Sequence, residues 1–162
     1  MVPQFLIWIE GSSLGYFIRH SSVWLYGVIN LSHILGVSAL FGGILALDLR
    51  MMGLWKGLSI SAIARPAVPI ATAGFAIAAT SGVCLLATTG TDYIGNPLIY
   101  VKFTAIPLGL LNVALLTQLP AWKNRDAEPM PQAARRQLAV AGGVSLACWL
   151  TAVSAGRLIA YW

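Results

Sequence analysis

The stretch SVWLYGVINLSHILGVSALFGGILALDLRMMG, residues 22 to 53, decides how this chain folds. From Val23 to Leu47 it carries no Asp, Glu, Lys or Arg, and roughly 20 apolar residues suffice for a helix to cross a bilayer. A membrane-spanning helix follows. Stepping about 100° per residue puts Tyr26, Asn30, His33 and Asp48 within about 60° of one meridian. Lipid offers no hydrogen-bond partners, so this polar stripe is expected to face other helices or a cavity.

The composition agrees: 58% of residues are hydrophobic and only 9% charged, which excludes a soluble domain of ordinary make-up. The net charge of +5 belongs to basic connections between spans and implies no nucleic-acid partner. Cys84 and Cys148 lie in separate apolar runs with no CxxC neighbour, so they read as small buried hydrophobes rather than as a disulfide or zinc framework.

Three further apolar runs complete the pattern, so that spans are expected at about 23–47, 67–89, 98–119 and 138–159. Pro66 and Pro69 suit the start of the second. Pro107 should kink the third. Residues 1–21 combine Phe5, Trp8, Tyr16 and Phe17 with Glu10, Arg19 and His20 and read as an interfacial segment, with His20 at the water boundary. The expected fold is all-α, a four-helix transmembrane bundle preceded by an interfacial N-terminal segment, forming a single transmembrane domain over 1–162.

Charge sets the expected orientation. The two long connections carry Arg50, Lys56, Arg65, Lys123, Arg125, Arg135 and Arg136, the more polar of them also Asp126 and Glu128, whereas the N-terminal segment has Arg19 alone. By the positive-inside rule the connections are cytoplasmic, and both termini of a bacterial inner-membrane protein would be periplasmic.

Two basic residues remain, Lys102 and Arg157, each about one turn inside the periplasmic end of its span. Lysine and arginine in such places often only snorkel to headgroups, and a membrane histidine often only packs. Yet His33, with Tyr26 and Asn30 on its face, lies about 15 Å below the same surface. A heme b with His33 on its iron and Lys102 and Arg157 at its propionates would fit, as four-helix bundles hold cofactors between facing helices.

No second axial ligand is evident. His20 is about 20 Å away along a helix, Met51, Met52 and Met130 belong to the cytoplasmic side, and Cys148 lies about 180° around its helix from Arg157. The heme would then be five-coordinate, shared with another chain, or absent. A quinone hydrogen-bonded by His33 needs no second ligand.

The runs IEGSSLGYFIRHSSVWLY at 9–26, HILG at 33–36, DLRMMGL at 48–54, NPLIYVKF at 96–103 and GRLIAY at 156–161 resemble a family of small four-helix bacterial inner-membrane proteins of unknown function. The resemblance covers nearly the whole chain. It implies four helices and singles out Arg19, His33, Asp48, Arg50, Lys102, Asn112 and Arg157. The family is distantly similar in layout to heme-binding four-helix membrane proteins, an analogy of fold.

Two functions are therefore expected: a redox subunit holding heme b or quinone near His33, or an accessory or assembly subunit of a larger membrane complex. Besides the lipid bilayer, the partners would be other membrane subunits or copies of the same chain, and small-residue faces such as Ser38, Gly42 and Ala46 or Ala39 and Gly43 suit helix association. No nucleophile and base pair, metal cluster or phosphate loop is evident, so independent catalysis is not expected. Asp48, on the inward stripe, should either pair with a basic residue of a neighbouring helix end or be protonated.

The orientation is testable by thiol labelling in intact cells. A cysteine placed at Asn96 should react with an impermeant reagent and one at Asn124 should not; labelling at Asn124 alone would reverse the topology.

Overall fold

The computed structural model describes residues 2–126 and 129–161, so Glu128 lies outside the described residues. The helices are α1 (Val2–Glu10), α2 (Ser13–His20), α3 (Val23–Met51), α4 (Ile60–Thr89), α5 (Pro97–Gln118), α6 (Pro120–Lys123) and α7 (Gln132–Leu158), with 3-10 turns at Gly90–Tyr93 and Ile159–Tyr161. The described residues include no strand. Four of the helices, α3, α4, α5 and α7, are long and apolar enough to cross a membrane. The chain is an all-α four-helix bundle and a multi-pass membrane protein.

Helix α4 begins earlier than the apolar run suggests. Ser59 accepts a hydrogen bond from the Ala62 amide at 3.1 Å and caps the helix there. Pro66 and Pro69 consequently lie inside α4 rather than at its start. Similarly α7 starts at Gln132, so Arg135 and Arg136 ride on its first turns instead of in a loop. Charged ends extend the helices past their apolar centres because helix formation needs no burial, only satisfied backbone groups.

Helix α3 packs along α4, α5 packs along α7, and the two pairs join where α3 meets α7. With an even number of spans, both chain ends lie at one end of the bundle, here the terminal end, and the basic connections at the other, the basic end. Leu47, Met51, Ile60, Leu116 and Leu138 form a closed apolar core at the basic end. Hydroxyls on the spans mostly satisfy themselves: Ser38, Thr72, Thr80 and Thr104 each bond a carbonyl one turn back at 2.8 to 2.9 Å.

Asp48 is only 3% exposed, and its Oδ2 has no hydrogen-bond partner among the described residues. The neighbouring helix α7 meets it with Ser145, itself 3% exposed, and with Gly142, where a Cβ would come to 3.0 Å from the Asp48 carbonyl oxygen. The pairing with a basic side chain is thus not found among the described residues. Arg50 instead turns outward and donates to the Leu58 carbonyl at 2.6 Å.

Helices α1 and α2 lie against α4 and the turn after it. Leu6, Ile9 and Ile18 are buried there, while Trp8, Tyr16 and Phe17 stay more than half exposed on the other side. The attachment is polar at its centre. Glu10 accepts from the Thr91 amide at 2.6 Å, and Arg19 donates to the Ala87 carbonyl at 2.9 Å and the Glu10 carbonyl at 2.8 Å. A side chain at Gly15 would collide with the carbonyl oxygens of Ala87 and Glu10, so glycine is required at this approach.

Two outcomes follow from this packing. A neutral carboxamide suits a buried position without a cation, so Asp48→Asn should hold or raise the melting temperature in detergent, while Gly142→Val should cost about 1–3 kcal/mol by overpacking. The Thr91 amide, and after it the Arg19 charge, hold the Glu10 carboxyl below its ordinary value of 4.5. That contribution is complete above the unfolded value and is lost as pH falls through the lower folded one. Amide protection factors in residues 2–20, corrected for the intrinsic pH dependence of exchange, should therefore fall on acidification below about pH 4.5, and Glu10→Ala should show the lowered protection already at pH 7.

Candidate functional site between the helix pairs

Helices α3 and α4 touch backbone to backbone. A Cβ on Gly36 would stand 2.7 Å from the Ala78 nitrogen, and one on Gly74 would stand 2.5 Å from the Leu40 nitrogen. This approach carries the His33 ring of α3 onto α4. Its Nδ1 lies 2.9 Å from the Ala78 carbonyl oxygen and 3.1 Å from the Ser81 hydroxyl. Gly82 leaves the room, since a Cβ there would come to 3.1 Å from the imidazole Cε1.

These bonds assign the tautomer. A carbonyl oxygen only accepts, and the Ser81 hydroxyl spends its proton on the Ile77 carbonyl at 2.5 Å. Nδ1 must then carry the hydrogen, which leaves Nε2 of the neutral ring with a lone pair. Histidines that ligate metals or accept protons are commonly held this way, by a backbone carbonyl on the other nitrogen.

Lys102 reaches the same region from α5. Its stem passes over Gly156 of α7, whose Cβ position would lie 3.2 Å from Nζ, 3.4 Å from Cε and 3.6 Å from Cδ. The side chain is partly buried. Among the described residues its ammonium has no hydrogen-bond or ion-pair partner.

The other three expected residues stand differently. Tyr26 is 41% exposed and Asn30 is exposed, two turns and one turn respectively from His33 toward the terminal end. Arg157 is exposed, donates to the Tyr161 hydroxyl at 2.6 Å and stacks 5.0 Å from that ring, so it turns away from Lys102. His20 stacks on Tyr16 at 3.9 Å and bonds its carbonyl at 2.8 Å, as a boundary residue. Both cysteines are free thiols.

Burial along the α3 stripe has a direction. Asp48 is buried against α7, His33 is partly buried, and Asn30 and Tyr26 are exposed. One face of one helix thus loses cover toward the terminal end. Trp149 of α7, 3% exposed, lies edge-on to Phe75 of α4 at 6.0 Å. The Trp149 indole Nε1 has no hydrogen-bond partner among the described residues.

Sequence reading places Lys102 at one depth with Arg157, between His33 and the periplasmic surface, but misses what holds His33 and Lys102. Ser81, Gly82 and Gly156 look like ordinary small residues of apolar runs; their pairing with a histidine and a lysine on other helices is visible only once the helices are packed. Comparison of this chain with protein-family models, curated proteins and solved structures finds no match.

Proposed function

We propose that this small membrane protein lies in the bacterial inner membrane with both termini periplasmic and serves as a subunit of a redox complex, holding a quinone headgroup between His33 and Lys102. The observation that carries the reading is the anchored His33 ring, its Nδ1 committed to Ala78 and its Nε2 without a partner among the described residues, together with the partly buried Lys102 of α5. The imidazole Nε2 accepts and the Lys102 ammonium donates, an arrangement that favours a ligand with an oxygen at each point. Tyr26 and Asn30, exposed on the same helix face, would line the rim of the site.

Heme b asks for the same Nε2 as an axial ligand and for cations at two propionates. When bound it supplies one-electron chemistry. The described residues offer it one nitrogen and one cation, with Arg157 engaged by Tyr161. A quinone headgroup needs only hydrogen-bonding groups at its two oxygens, which makes it the better fit.

A second reading has its own observation. Ser38, Ala39, Gly42, Gly43, Ala46 and Pro66 line a shallow groove between α3 and α4, a surface on which a helix of another membrane subunit or of a second copy would pack closely. On this reading the protein is an accessory or assembly subunit without chemistry of its own.

Absorption spectra and lipid extraction of the purified protein separate the alternatives. Quinone should co-purify in near-stoichiometric amount without a Soret band, and His33→Ala, Lys102→Ala and Gly156→Leu should each reduce it roughly tenfold. A Soret band that disappears in His33→Ala would replace quinone with heme. Protein with neither, whose His33→Ala form merely loses stability or fails to join its complex, would leave the accessory reading.

A further inference from the structure

We infer that the His33 and Lys102 site selects the reduced hydroquinone over the oxidised quinone, an inference that rests on the quinone-headgroup reading above. The argument is one of donors and acceptors. Nδ1 of His33 faces two acceptors, the Ala78 carbonyl at 2.9 Å and a Ser81 hydroxyl whose proton is committed to Ile77 at 2.5 Å. Turning the ring over would set a carbon against both and abandon two hydrogen bonds. Nε2 of the neutral imidazole is consequently an acceptor, and Lys102 is a donor with no accepting capacity.

An oxidised quinone carries acceptor oxygens alone. It satisfies Lys102 but sets a lone pair against the lone pair of Nε2. A hydroquinone donates one O–H to Nε2 and accepts from Lys102 through its other oxygen, so both contacts are complementary. Sites that hydrogen-bond a particular proton reject the analogue lacking it because a buried group is left unpaired. Gly82 and Gly156 are the positioning residues of this code. They let the ring lie on α4 and the lysine stem lie on α7.

The test is equilibrium dialysis of the full-length protein in lipid nanodiscs, stripped of endogenous quinone, against a decyl-tailed benzoquinone and its anaerobically maintained hydroquinone. The hydroquinone should bind on the order of tenfold more tightly. In His33→Gln, whose carboxamide both donates and accepts, the preference should shrink to about twofold or less, with binding of the oxidised form retained. Equal affinity of the unmodified protein for the two forms, or tighter binding of the quinone, would overturn the inference while leaving the headgroup site intact. A tenfold preference that survives in His33→Gln would overturn the assignment to His33. Absence of binding by either form would remove the headgroup reading itself, and the inference with it.

Discussion

The contact on which the rest depends is the backbone approach of α3 and α4 at Gly36 and Gly74. In a bilayer, apolar surface gains nothing by leaving lipid, so helices associate through close packing and hydrogen bonds, and small residues permit both. Here closeness has a chemical result. It brings a histidine ring within hydrogen-bond distance of a helix carbonyl on the neighbouring span. Larger side chains at either glycine would move the ring outward and free its nitrogen to choose the other tautomer.

The two helix pairs then divide the labour. At the basic end Leu47, Met51, Leu116 and Leu138 make a sealed core, and even the Asp48 carboxyl is enclosed. Toward the other end the α3 face loses cover, and the polar groups on it are few. Rigid, glycine-set packing on one side of a gap and a long lysine stem on the other combine a fixed acceptor with an adaptable donor. For the proposed headgroup, such a combination supplies direction at one oxygen and charge at the other.

Much of this was legible in the residues. Charge-free runs of spanning length announce four helices whatever their neighbours, because the bilayer demands internally satisfied backbone. The shared meridian of Tyr26, Asn30, His33 and Asp48 foretells a polar seam, and the seam exists at Asp48 and His33. Helix limits were less legible: Ser59 caps α4 well before its apolar run, leaving Pro66 and Pro69 inside the helix, since local capping bonds decide where a helix begins. Arg157 illustrates a second limit. Its depth matches that of Lys102, but its direction is set by Tyr161 one turn on, and depth alone carries no information about azimuth. Nor does spacing disclose that Ser81, Gly82 and Gly156 serve side chains from other spans.

The attachment of α1 and α2 has a consequence for biogenesis. Their partners lie far along the chain: Arg19 bonds Ala87 across 68 residues, and Glu10 bonds Thr91 across 81. Chains grow from the N-terminus, so these two helices leave the ribosome before their docking surface exists. They must wait until α4 has crossed the bilayer. Trp8, Tyr16 and Phe17, which remain exposed even after docking, supply the means of waiting, because aromatic rings hold a short helix at the headgroup level of a membrane. The N-terminal pair is therefore first in synthesis and among the last in assembly, parked on the lipid surface until the second span arrives to receive it.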